Sequence, residues 1–280
     1  PWVARGERGL SFPAWTGTPM SDGDDAVLAA PVRHDPDRIR LDEALRPPSR
    51  DHWLGTDALG RDVAARLVHG ARVSIAIGLL SAVVALVIGI PVGALAGYAR
   101  GLTDAIAMRA IEAMLCFPTL LLLIALLAAP PEWLGALNDV VRISMVLGAV
   151  GWVPVARYLR GEVLRIAASE AVAGARAIGA SPARVLVKHV VPGALAPVLV
   201  TAAFAAASAI VVEASLSFLG LGVSAPTATW GGLLAEARDH VTLAWWMVAF
   251  PGLALFATLL GCNLVGEGLR DALDPRRRSS

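Results

Sequence analysis

Five stretches of this 280-residue chain carry no Asp, Glu, Lys or Arg, or nearly none, and each approaches the length of a bilayer. They are Val73–Ala99, Ala113–Pro131, Ile143–Ala156 (extending to Tyr158 past Arg157), Val190–Val212, which His189 opens, and Val241–Gly266. A hydrocarbon core about 30 Å thick needs roughly 20 apolar residues as helix. Five buried helices in a soluble protein of this size would leave almost no amphipathic helix to cover them. The pattern therefore predicts an all-α polytopic membrane protein with five visible transmembrane helices. Composition agrees: the chain is 56% hydrophobic and only 17% charged, with mean hydropathy +0.64. A net charge of +1 offers no field for a polyanion, so nucleic acid is not an expected partner.

Orientation follows from Lys and Arg in short loops. Arg100 and Arg109 lie between the first two stretches. Arg157, Arg160, Arg165, Arg176, Arg184 and Lys188 lie between the third and fourth. Arg270, Arg276, Arg277 and Arg278 lie in the tail. By parity all three share one face, which is expected to be cytoplasmic; the opposite loops hold only Arg142 and Arg238. Residues 1–72 then fall outside, although they carry ten Arg. A chain entering from outside needs an earlier span, and Pro1–Met20 holds neither a span nor a signal-peptide core. A first span upstream of Pro1 is the expectation, giving six in all.

The expected organisation has an irregular, external N-terminal segment over 1–50 and an amphipathic interfacial helix over 51–72. Leu59, Val63, Arg66 and Leu67 supply that helix's periodicity. A transmembrane domain follows over 73–268, interrupted by a cytoplasmic loop at 157–192. A short tail, 269–280, ends the chain.

Several chemistries are absent from the sequence. Lys188 is the sole lysine and follows no Gly-rich turn, so there is no phosphate-binding P-loop. His34, His52, His69, His189 and His240 include no pair at the i, i+4 spacing of a helical zinc site. No Gly-x-Ser-x-Gly elbow occurs. Cys116 and Cys262 sit in apolar runs and read as small packing residues. No catalytic residue and no metal site are expected. The first, fourth and fifth stretches hold no ionisable group that could relay a proton or sodium ion, Asn263 being their most polar deep residue. Glu213, just at a span end, and Glu236 face outward in this topology and read as solvated loop carboxylates, with a contact to a peptide amine or a metal cation as the alternative. Energy for uphill transport must then come from another subunit; an ion-coupled carrier or channel acting alone is the competing reading.

Positive signals concentrate in 157–192. The Ala-rich run to Ile178 favours helix, and Gly179 is a natural stop because it accepts the left-handed conformation. Ser181 offers an N-cap hydroxyl, Pro182 suits the first helical position, and Pro192 can bend the chain back into the membrane. Small residues at Ala173, Gly174, Ala175 and Ala177 make a surface another protein can approach closely. Gly89, Gly93 and Gly97 share one helix face, with Pro91 between them, and allow close packing within this chain or on a partner. Trp230, Trp245 and Trp246 suit interfacial anchors.

The 157–192 segment resembles the EAA loop of binding-protein-dependent ABC importer permeases: Glu-Ala-Ala, three residues, Gly, and a later Leu-Pro. Ala173-Gly174-Ala175 takes the first positions, Gly179 the glycine, and Val191-Pro192 the Leu-Pro. The acidic residue is absent, with Glu170 one turn earlier. His52 to Asp62, His69 to Ser74, Glu213 to Gly222, Trp230-Gly231 and Asn263 to Pro275 resemble the C-type permease subunit of dipeptide, oligopeptide and nickel importers. The resemblance implies a heterodimer of two permease subunits, two ATP-binding subunits that hold ATP and Mg, an external solute-binding protein, and no cofactor in this chain. It also implies an elbow seated on an ATPase, with Arg176, Gly179, Ala180, Ser181 and Arg184 near the contact.

Overall fold

The computed structural model describes residues 3–6, 9–11, 26–28 and 34–273. The expected irregular segment is not wholly irregular. Three short strands, β1 (Val3–Gly6), β2 (Gly9–Ser11) and β3 (Ala26–Leu28), pair antiparallel in the order β2-β1-β3. Ala4 lies opposite Ser11 on one side and Val27 on the other, so the short apolar triplets find ladder partners that periodicity alone does not reveal. Apart from these strands, the turns before residue 63 and the loops between helices, the described chain is helical.

The expected helix over 51–72 is corrected. Residues 51–62 form turns, and α1 begins at Val63 and runs unbroken to Ala99. Gly55 and Gly60 adopt φ of +78° and +70°, and Asp57 Oδ1 accepts from the backbone N–H of Leu59 and Arg61. Both features bend the chain before the helix can start. Asp62 then caps it, accepting from the Ala65 N–H at 2.7 Å. At 37 residues α1 is about 55 Å long, longer than a bilayer core, so residues 63–72 of the expected interfacial helix and the first span are one rod.

The second stretch is not one straight helix either. α2 (Gly101–Leu115) and α3 (Thr119–Ala128) meet at 83° across Cys116-Phe117-Pro118. Pro118 cannot donate to the ladder, which is why the break falls there. Cys116, expected to pack inside, lies exposed at this break. A single-turn helix, α4 (Glu132–Gly135), leads to α5 (Asp139–Ala167), capped by Asn138. The elbow helices α6 (Glu170–Ala177) and α7 (Pro182–Val185) follow, then a π-helical turn, Leu186–Val190. α8 (Val191–Phe218), α9 (Trp230–Ala237) and α10 (Trp246–Leu273) complete the chain. α10 carries the first residues of the expected tail. Among the described residues four helices are long and apolar enough to cross a membrane, five if α2 and α3 make one bent span.

α1 and α5 form the centre. Added Cβ atoms at Gly89, Gly93 and Gly97 would lie 2.8 Å from Val155, 2.5 Å from the Ala156 carbonyl and 2.8 Å from the Arg160 carbonyl. Gly148 of α5 returns the contact against Val84 at 2.4 Å. The glycine face thus packs within this chain, on α5. Burial is uneven among the spans: half of the most apolar window of α5 is buried, against 6% for α10. Leu253, Phe256, Leu260 and Leu264 leave α10's outer flank bare.

Candidate functional site: the elbow and its anchorage

The elbow joins α5 to α8 through two short helices. Ala168 and Ser169 interrupt the Ala-rich run, so α6 is a separate helix headed by the exposed Glu170. An acidic residue in the first turn complements the helix dipole. α6 ends as the sequence predicts. Gly179 has φ +86°, its N–H donates to the Arg176 carbonyl at 3.0 Å, and the Ala180 N–H donates to the Ala175 carbonyl at 3.1 Å. These two bonds are a complete Schellman closure. No atom lies within 4 Å of a Cβ built on Gly179, so backbone conformation alone, not space, demands glycine there.

Only a narrow strip of the elbow is anchored. Val172, Ala175, Val185 and Val190 are buried in one cluster with Leu159 and Val163 of α5, and Ala180 and Tyr98 pack against it. Ala175 is therefore an inward anchor rather than part of the approachable surface. Ala173, Gly174 and Ala177 stay exposed with Arg176, Gly179, Ser181 and Arg184. Arg176 lies over the Tyr98 ring at the end of α1, 5.5 Å from its centroid. At the apex Ile178 is 86% exposed, an apolar knob missed in the sequence because it reads as the last residue of an Ala-rich helix. Val187, at 65%, is exposed on the same segment.

Two expectations for the elbow are corrected. Ser181 occupies the N-cap position of α7, and Pro182 its first turn, but the hydroxyl makes no capping bond. Pro192 does not turn the chain. Reversal is complete by Pro182, and Pro192 lies in the first turn of α8, directly after the π turn. A proline ring crowds the carbonyl four residues earlier, here Lys188, and widening the ladder to a π turn accommodates it.

The far end of the molecule is built differently. Arg66, 2% exposed, binds Asp57 Oδ2 at 2.7 Å and both carboxylate oxygens of Glu236 on α9. Arg61 joins the same carboxylates, at 2.7 Å from Asp57 and 2.9 Å from Glu236. Glu236 is thus an ion-pair partner, not a solvated loop carboxylate. Trp230 and Trp246 are buried, not interfacial; their indole N–H groups donate to the Leu67 and Thr56 carbonyls at 3.0 and 3.1 Å. Trp245, 58% exposed, keeps the expected placement. Nearby, a hydrogen bond from Arg40 is the largest influence holding the Glu43 carboxyl below its ordinary pKa.

Glu213 is also corrected. α8 extends past the expected span end, so Glu213 is fully buried and accepts from Ser217 Oγ at 2.7 Å. Its neighbours include the hydroxyls of Ser74 on α1 and Thr229 before α9.

Between α1, α3, α5 and α8 lies a cavity of about 250 Å³, lined by Ser81, Leu123, Leu147 and Phe204 among others. The Ser81 and Thr201 hydroxyls at its wall donate to the Ile77 and Pro197 carbonyls of their own helices. No charged side chain lines it.

Residues 89–279 match the family described as "Binding-protein-dependent transport system inner membrane component", and the chain belongs to that family. It is 42% identical over 254 residues to the oligopeptide transport system permease protein OppC of Bacillus subtilis (strain 168), covering 90% of this chain and 81% of that one. It is 41% identical over 256 residues to the di/tripeptide transport system permease protein DppC of Pseudomonas aeruginosa (strain UCBPP-PA14), covering 88% and 82%. The glutathione transport system permease protein GsiD of Pectobacterium atrosepticum is 41% identical over 244 residues, covering 87% and 78%. Among solved structures, an inward-facing MetNI methionine ABC transporter superimposes with TM-score 0.59 at 18% identity, covering 73% of this chain and 96% of that one. An amino acid ABC transporter follows at 0.54 and 16%, covering 76% and 94%. The chain is therefore a multi-pass inner-membrane permease subunit of the ABC importer fold, not a carrier or channel working alone.

Proposed function

We propose that this chain is one half of a permease pair importing peptides, from dipeptides to oligopeptides, or a related small solute. Relatives at about 40% identity that bear peptide and glutathione names support that substrate class. The chain does no bond chemistry. ATP and Mg bind to two partner ATPases, a second permease completes the path, and an external solute-binding protein delivers cargo. The elbow's basic end faces the cytoplasm.

The observation that carries the coupling role is the elbow's exposed apex on a buried root. Ile178 and Gly179 project, while Val172, Ala175, Val185 and Val190 lock the elbow's movement to α5 and α1. An apolar side chain this exposed is stabilised by insertion into a pocket on a partner. Small residues at Ala173, Gly174 and Ala177 let the ATPase surface reach the α6 backbone. The closed Schellman turn makes the unit stiff, so motion at the apex reaches the spans. No residue of the described cavity could hold a peptide's charged ends, which leaves recognition to the binding protein and to the path between the two permeases.

The test is reconstitution with partner ATPases and binding protein. Gly179→Val is expected to lose cargo-stimulated ATP hydrolysis and uptake together, while the ATPases keep their basal rate. Gly179→Asn, which tolerates the left-handed conformation, is expected to retain both. Normal uptake with Gly179→Val would refute the elbow reading.

A further inference from the structure

The i, i+4 spacing examined in the sequence gives no metal site, but the fold brings His34, His52 and Asp62 together, with one potential ligand atom from each lying within 4.8 Å of the others. His52 and Asp62 are buried, at 4% and 3% exposure, and His34 is half-buried. The three converge on a small pocket that Asp35, Arg38 and Arg40 also line. Of the two arginines in the lining, Arg40 is held by Glu43 at 3.1 Å, and Arg38 lines the pocket together with Asp35.

The bonding of His52 poses a chemical problem. Nδ1 lies 2.8 Å from Asp62 Oδ1, and Nε2 lies 3.3 Å from Glu43 Oε2. A neutral imidazole carries one N–H, so it donates to one carboxylate and turns a lone pair on the other. Either a second proton or a metal cation at the lone-pair side removes that repulsion. Metal-bound imidazoles hold their second nitrogen on a carboxylate or a backbone carbonyl. His52 has Glu43 for this, and His34 has the Asp51 carbonyl, 2.8 Å from Nε2. The two rings already lie face to face, 4.5 Å between centroids and 30° between planes. Asp62 has an oxygen to offer, since Oδ2 serves the α1 cap while Oδ1 faces the histidine.

We propose that His34, His52 and Asp62 bind a divalent cation of the zinc type through two imidazoles and one carboxylate, with a fourth position left to water. Two nitrogens and one oxygen are a ligand set zinc accepts in tetrahedral sites. Its effect is to rivet the segment before Asp51 onto the start of α1, closing a loop that otherwise rests on backbone and side-chain hydrogen bonds. The site lies at the end opposite the elbow, apart from the coupling machinery, and stands whether or not the peptide reading does.

The experiment uses the full chain, assembled with its partners, stripped with chelator and titrated with zinc by calorimetry. One saturable site per chain is expected, with affinity falling about tenfold or more in His34→Gln and holding in His240→Gln. Hydrogen exchange across residues 34–51 is expected to slow when zinc is added to the unaltered protein, a readout that needs no variant. Absence of saturable binding, equal affinity in His34→Gln, or exchange indifferent to zinc would each overturn the site, leaving His52 bridging two carboxylates by protons alone.

Discussion

The two ends of this molecule solve opposite problems. At the far end Arg66, Arg61, Asp57 and Glu236 are gathered into a buried ion network, and two tryptophans are pinned by their N–H groups. At the elbow end the backbone is closed on itself, four side chains hold it down, and the rest faces outward. One end uses charge to lock two segments far apart in sequence, 57–66 and α9. The other keeps its surface small, apolar and available. The lesson is that ion pairing here serves immobility, while the working surface is nearly free of it.

The contrast can be broken deliberately. The largest effect is expected from Arg66→Met, which strips a buried partner from Asp57 and Glu236 and should cost about 3–5 kcal/mol of stability, read by thermal unfolding in detergent. Gly93→Ala is next. Its methyl would sit 2.5 Å from the Ala156 carbonyl, and overpacking of this kind costs about 1–3 kcal/mol, read the same way. Gly174→Ala is the matched control, since no atom lies within 4 Å of its new methyl; it should leave the unfolding midpoint unchanged or raise it. Ile178→Ser should shift stability by no more than about 0.5 kcal/mol, yet weaken ATPase binding about fivefold or more in a pull-down titration. Arg176→Gln removes the contact with Tyr98 and should cost about 0.5–1 kcal/mol by the same unfolding measurement, with no comparable loss of ATPase binding. Should Arg66→Met prove mild and Ile178→Ser unfold the protein, the division of labour between the ends would be reversed.

Much of this plan is legible in the residues. Charge-free runs reveal the spans, and Gly179 reveals the turn, because both depend on local chemistry. What escapes depends on partners distant in sequence. Span limits drawn by avoiding charge stop short at Glu213 and start late at Val73, since nothing near Glu213 announces the Ser74 and Thr229 hydroxyls of other elements, and nothing near Arg66 a carboxylate 170 positions away. Trp230 and Trp246 look interfacial until the carbonyls that bind their N–H groups are known. Leu59 and Val63 keep helical spacing, but Gly55 and Gly60 at positive φ override it. Ile178 is hidden for the reverse reason: an apolar residue closing an apolar-looking helix gives no sign that it is left uncovered.

The π turn before Pro192 has a consequence for how α8 is set. One extra residue in a helical turn rotates everything downstream by about 100° around the axis. That offset decides which flank of α8 meets α1, and so whether Ile210 and Glu213 look inward. The widened turn therefore works as the index mark between the elbow and α8: ironing it flat would leave both parts intact and out of phase.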